Sequence, residues 1–344
     1  MWRERFGFAT ALALGLAATA AIVAAVYDLP LRDPDGVAGP TYVRLPGVVL
    51  LAFLTDVVPR TLGRCQRLGE LGGVFVTVTR ERWPLGHVKF ALLGLGSWYL
   101  TYVAFRNLKS FVPFVHRGLM DAQFDRLDRT LAFGHDPAAV LHDVLGTGLA
   151  AHVMSAVYIG WIVLVPVSLA AALVWSRNVS GGSWYVTAVA VDWVLGVATY
   201  FALPTLGPIY ARPQLFDSLA VTDTTRLQQT MWTDRLEVLQ DPFATNAVQS
   251  IAAFASLHVG ILATACLIAQ LLRLNPWVRG ALWVFLGLTV LSTVYLGWHY
   301  LADAFGGLAL GAAGAWVGAV ATGNHVRGRP VHRAVQAPVA QPVG

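Results

Sequence analysis

The stretch STVYLGWHYLADAFGG, Ser292–Gly307, decides how this chain is read. It is apolar enough to enter a bilayer, yet it carries His299 and Asp303. A titratable side chain inside a membrane costs on the order of 2.5–3.5 kcal/mol by insertion scales, so such a residue marks a functional site by default. The spacing of four puts both groups on one face of a helix or its entrance. There the carboxylate can hold one imidazole nitrogen, fix the tautomer and raise the basicity of the other. Upstream, FASLHVG, Phe254–Gly260, carries His258 into a second apolar run. Two imidazoles with different neighbours can divide labour, one as nucleophile or base and the other as acid.

Working outward, the 344 residues are 56% hydrophobic and only 12% charged, about half the charge of a soluble domain. This predicts an all-α, polytopic transmembrane bundle. The net charge of +5 sits in short connections rather than on one stripe, so it reads as a topology signal and no nucleic-acid partner is expected. Only Lys89 and Lys109 among the 24 basic residues are lysine, a bias that points to a high-GC bacterial genome. Cys65 and Cys266 suit neither a disulfide framework nor a thiolate metal site.

A helix crosses the hydrocarbon core in about 20 residues. Spans are predicted near 8–27, 88–106, 149–175, 183–203, 250–272, 278–297 and 300–321, with an eighth, short one near 45–59 between Pro46 and Pro59. The first follows Arg3 and Arg5, but its apolar core outruns a signal peptide's and is read as an anchor. Lys and Arg in the short loops place both termini in the cytoplasm and His258, His299 and Asp303 on the extracytoplasmic side of the plasma membrane. The expected organisation is membrane-anchor spans and a cytoplasmic loop in 1–87, a catalytic membrane domain in 88–322 and a disordered tail in 323–344. DAQFDRLDRTLAFGHDP, Asp121–Pro137, predicts an amphipathic surface helix whose Asp121, Asp125 and Asp128 form a solvated face. Asp192, midway along the fifth span, is expected to hydrogen-bond a neighbouring helix, with His152 as candidate partner.

A phosphate ester would need a cationic cradle. LPTLGPIYARP, Leu203–Pro213, supplies Arg212 after a rigid turn, and a guanidinium binds phosphate oxygens bidentately. Ser256, two residues before His258, adds a hydroxyl at a helix start, where anions are favoured.

Arg212-Pro213, SLHVG and HYLADAFGG resemble, in order, the three signature motifs of the type 2 phosphatidic acid phosphatase superfamily. The HY..D..GG pattern is similar to its inositol phosphorylceramide synthase-like branch. The resemblance implies a six-helix core, a nucleophilic His299 that forms a phosphohistidine, Asp303 orienting it, and His258 protonating the leaving oxygen. It also implies phosphate binding by Arg212 and Ser256, with neither metal nor cofactor. Where the superfamily has a proline and two cations, this chain has Ala255, Thr205 and Thr293. Fewer cations suit a phosphodiester better than a monoester, although Arg106 or Lys109 could fill the gap.

The expected function is therefore a lipid phosphotransferase. It moves a phosphoryl or phospho-headgroup from a phospholipid to a lipid or glycan hydroxyl at the outer leaflet. Rival readings are a lipid or polyprenyl phosphate phosphatase, a zinc site built from His258, His299 and Asp303, and a transporter using them as a proton relay.

Overall fold

The computed structural model describes residues 2–36, 40–327 and 329–331. The chain is helical almost throughout. α1 (Trp2–Tyr27) and α2 (Thr41–Arg64) are followed by the short α3 (Leu71–Arg82), which packs on α2, and the long α4 (Leu85–Val115), which packs on α1. α5 (Asp121–Leu131) and α6 (Pro137–Leu145) then precede α7 (Leu149–Ala170), which ends in a wider π turn at Ala171–Trp175, and α8 (Val179–Ala202). After α9 (Pro208–Ala211) and α10 (Asp223–Gln240), the bundle closes with α11 (Leu257–Leu271), α12 (Pro276–Tyr295) and α13 (Leu301–Ala321).

Seven of the described helices are long and apolar enough to cross a membrane: α1, α2, α4, α7 with its π turn, α8, α12 and α13. The protein is a multi-pass membrane protein. The span expected near 45–59 is a helix of 24 residues with Pro46 and Pro59 inside it, so it is long enough to cross. α11 has 15 residues, and the span expected to begin at residue 250 starts seven residues later. Residues 250–256 are non-helical because Ser256 caps α11 there, its Oγ accepting from the Val259 N–H at 3.4 Å.

α8, α11 and α13 pack face to face. Gly307 and Gly311 of α13 lie against the backbone carbonyls of Ser256 and Gly260, an approach a Cβ would block. Asp192 sits in this core and accepts from the Thr264 hydroxyl at 2.7 Å. Its partner is thus α11 and not His152, which is exposed.

One end of the bundle gathers the C-terminal ends of α4, α8 and α12 with the N-terminal ends of α7, α11 and α13. α5, α6, α9 and α10 cover that end. The cover is hydrogen-bonded down: His142 Nε2 meets Tyr295 O at 2.8 Å, and Gln228 Nε2 donates to Leu296 O at 2.8 Å. At the start of the tail, His325–Val326 and Arg329–Pro330 form a small antiparallel hairpin. The disorder expected for the rest of the tail falls on 332–344, outside the described residues.

Candidate active site

His258 and His299 are 41 residues apart in sequence but adjacent in space. His258 Nδ1 lies 3.0 Å from His299 Nε2, and His299 Nδ1 lies 3.1 Å from Asp303 Oδ2. The three groups form a line with the His299 ring in the middle. Asp303 Oδ2 also accepts from the Tyr300 N–H at 3.0 Å, and the Asp303 carbonyl accepts from the Ser256 N–H at 3.1 Å. The starts of α11 and α13 are thereby locked together, which fixes the register of the two histidines.

This network assigns the protons. With Asp303 ionised, His299 carries its proton on Nδ1, Nε2 carries the lone pair and His258 Nδ1–H donates to it. Burial, helped by the nearby Lys109 charge, pushes the His299 pKa down to about 3, which keeps that ring neutral and its Nε2 nucleophilic at neutral pH. Because Asp303 and His258 occupy opposite nitrogens of one ring, they do not converge on a common point as the ligands of one zinc ion must.

His258 is held differently. Its ring packs on Trp161, centroids 4.3 Å apart, and on Tyr158 at 5.0 Å. Tyr158 in turn stacks on Trp298 at 4.9 Å. Trp161 Nε1 donates to the His258 carbonyl at 2.9 Å.

The aspartates of α5 depart from expectation. α5 covers the bundle end as an amphipathic helix, but Asp121 and Asp128 turn inward and are buried. Asp121 accepts from the Leu206 and Gly207 N–H groups and from the Tyr300 hydroxyl, each at 3.0 Å. Asp128 accepts from the Leu301 and Ala302 N–H groups at 2.7 and 2.9 Å, capping α13 immediately after His299. A helix N-terminus leaves such donors free and attracts negative charge, which is why two carboxylates go in beside Phe124 rather than out to water. Burial pushes the Asp128 pKa up to about 6, against the pull of the two N–H donors. Asp121, Phe124 and Asp128 recur at helical spacing on one face, the one sequence signal for this arrangement.

The turn before α9 docks on the same loop. Gly207 has φ +100°, a Cβ there would lie 2.5 Å from the Trp298 carbonyl, and the Ile209 N–H donates to Gly297 O at 2.9 Å. Arg212 follows, its Nη2 pairing with Asp125 at 2.6 Å and Asp136 at 2.5 Å. The structure thus brings His258, His299 and Asp303 into direct contact, sets Ser256 behind them as a helix cap, and engages Arg212 with two carboxylates.

Thr205 accepts from the Phe254 N–H at 2.9 Å, and Thr293 donates to Thr289 O at 2.9 Å, so both are internally satisfied. The cation beside the histidines comes from α4. The Lys109 charge acts on both His258 and His299, and its Nζ stands 4.8 Å from the centroid of the Tyr200 ring, with no ion pair among the described residues. Arg106, by contrast, is engaged by the Tyr102 and Ser250 hydroxyls, both at 2.9 Å.

A family model described as the PAP2 superfamily matches residues 122–317. No curated protein and no solved structure matches the chain.

Proposed function

From membership of the PAP2 superfamily, to which this chain belongs, and so from phosphatase or phosphotransferase chemistry on lipid-like substrates, we propose a phosphotransferase. In this reading a phospholipid's headgroup phosphate passes to a lipid or glycan hydroxyl through a phosphohistidine on His299. The observation that carries it is the line Asp303–His299–His258, which supplies an oriented neutral nucleophile and a proton donor aimed at its lone pair.

His299 Nε2 attacks phosphorus, the P–N bond forms and the P–O bond to the lipid alcohol breaks. His258, protonated beside the bound phosphate anion, gives the Nδ1 proton to the leaving oxygen. Asp303 stabilises the positive charge that develops on the His299 ring. The acceptor hydroxyl then gives its proton back to His258 and attacks phosphorus, and the P–N bond breaks. Lys109 supplies further charge that the phosphate meets, with Arg212 and Ser256 as the phosphate-binding residues the motifs imply.

The cationic shell is sparse, with Thr205 and Thr293 in place of the superfamily's expected cations, and this favours a substrate with one negative charge over a monoester with nearly two. The positive-inside pattern of the loops supports a reaction at the outer leaflet of the plasma membrane, and the HY..D..GG pattern favours the inositol phosphorylceramide synthase-like branch.

The test is to incubate purified protein with a phospholipid carrying labelled phosphorus, quench, and measure acid-labile, alkali-stable label. Label is expected on the unsubstituted protein and none on His299→Ala. In His258→Ala, activity on a p-nitrophenyl diester, whose leaving group needs no proton, should survive better than activity on the lipid. Label on His299→Ala would overturn the assignment. Release of headgroup phosphate at the same rate with and without a hydroxyl acceptor would identify a hydrolase instead.

A further inference from the structure

A cleft of about 270 Å³ opens beside the histidine line, between the C-terminal end of α4, the turn at Pro204–Leu206, α10 and the chain at Gln249–Ala252. Its walls are shared with the site. Leu206 is held by Asp121, Thr205 binds the segment just beyond Ala252, and the carbonyl of Ala253 contacts the His299 ring.

Arg235 of α10 lines this cleft and is only 7% exposed, yet no hydrogen bond or ion pair reaches its guanidinium among the described residues. Asp121 and Asp128 at this end are answered by backbone N–H groups and Arg106 by hydroxyls, and Lys109 lies against the Tyr200 ring. A guanidinium this far from bulk solvent and without a counter-charge in contact favours an anion that enters the cleft. Asp121 and Tyr210 act on it only through space. The remaining polar lining includes Arg117, His116 and Gln249, and no carboxylate lines the cleft. A volume of this size accommodates a headgroup, and guanidinium groups favour planar or tetrahedral oxyanions.

We propose that Arg235 is the cation of an anion subsite that takes a phosphate or carboxylate of a headgroup-sized ligand lying next to the phosphorus at His299. That the ligand is a substrate of the transfer rests on the function proposed above; that the cleft binds an oxyanion does not.

Binding is therefore measured on His299→Ala protein, which cannot turn over, by calorimetry in nanodiscs. One arm titrates soluble glycerol 3-phosphate with glycerol as the neutral control. The other compares cardiolipin, with its second phosphate, against phosphatidylglycerol as the disc lipid. Arg235→Gln should weaken the anion at least tenfold, about 1.4 kcal/mol, in one arm or both, leave glycerol unchanged, and be largely rescued by Arg235→Lys. Loss in the first arm alone identifies a soluble headgroup, and loss in the second a membrane-borne one. As a readout that needs no substitution, the same anion should protect Arg235 from phenylglyoxal, followed by mass spectrometry, while exposed Arg67 stays reactive. Unchanged anion affinity in both arms, or Arg235 modification that the anion does not slow, would overturn the subsite. Loss of binding together with intact transfer in Arg235→Gln protein carrying His299 would keep the subsite and detach it from the reaction.

Discussion

Replacing Asp303 by Asn tests the line of three groups at its far end. Asp303 Oδ2 receives two donors, His299 Nδ1 at 3.1 Å and the Tyr300 N–H at 3.0 Å, while Oδ1 has no partner. An Asn side chain has two ways to sit there. With its oxygen in the Oδ2 position it keeps both bonds but buries an amide NH2 without an acceptor, a cost of about 1–3 kcal/mol in stability. With its NH2 toward the ring it forces the lone pair onto Nδ1 and the proton onto Nε2, which removes the nucleophile. In either pose the negative charge that stabilises a cationic ring is gone, a charge-assisted bond worth about 1.5–3 kcal/mol. Together with the tautomer penalty, the barrier should rise by about 3–5 kcal/mol, a factor of roughly 10² to 10⁴. The measurement is the single-turnover rate of label transfer to protein at saturating lipid, with circular dichroism and thermal midpoint as controls on the fold. A folded Asp303→Asn protein within tenfold of the original rate would refute the reasoning.

Four further outcomes are expected. Asp128, with its pKa raised to about 6, binds its proton more tightly folded than unfolded, so its contribution to stability is present below about pH 4 and is lost as pH rises through about 6. The bound is about 3 kcal/mol before solvent screening and on the order of 1–2 after it, and Asp128→Asn should flatten the thermal midpoint across that window. Gly207→Ala forces a Cβ toward the Trp298 carbonyl at a positive φ and should destabilise by about 2 kcal/mol or more. Gly96→Ala, on an exposed helical face with open space, should do nothing harmful to the thermal midpoint. Lys109→Met should lower kcat/KM for a phosphodiester at least about tenfold, and an unchanged value would remove Lys109 from the phosphate shell.

The sequence made legible what depends on local spacing. His299 and Asp303 sit one helical turn apart, so their pairing follows from the helix itself, and Ser256 reads as a cap because it precedes an apolar run. The contact between His258 and His299 needed the register of α11 against α13, which is set by Gly260, Gly307, Gly311 and the Ser256–Asp303 backbone bond; no periodicity encodes that. Asp121 and Asp128 were misjudged because charge on an amphipathic helix is normally solvated, and only the positions of the free N–H groups at Leu206, Gly207, Leu301 and Ala302 reverse that preference. For the same reason Arg212 could not be seen to pair with Asp125 and Asp136. Its carboxylates arrive from α5 and the cap of α6, 76 or more residues away in sequence.

The contrast between the two histidines bears on how a substrate enters. In the structure the lone pair of His299 Nε2 is already taken by His258 Nδ1–H at 3.0 Å. In-line transfer needs phosphorus between nucleophile and leaving oxygen, with the acid beyond that oxygen, so the two nitrogens must part to roughly 7 Å. One ring has to move. His299 is tied by directional bonds: its Nδ1 to Asp303, its backbone N–H to Thr293 O, and the next N–H to the same carboxylate. Asp128 further holds the start of α13. Among the described residues the His258 side chain has no such tether apart from His299 itself; it lies against Trp161 and Tyr158. Aromatic contact of this kind is worth about 0.5–1.5 kcal/mol beyond its area and tolerates sliding better than a hydrogen bond tolerates bending. Under the proposed reaction the acid is therefore the group that swings, and the nucleophile stays in place. An aromatic wall around the mobile ring and a hydrogen-bonded cage around the fixed one is the division of supports that such a step requires.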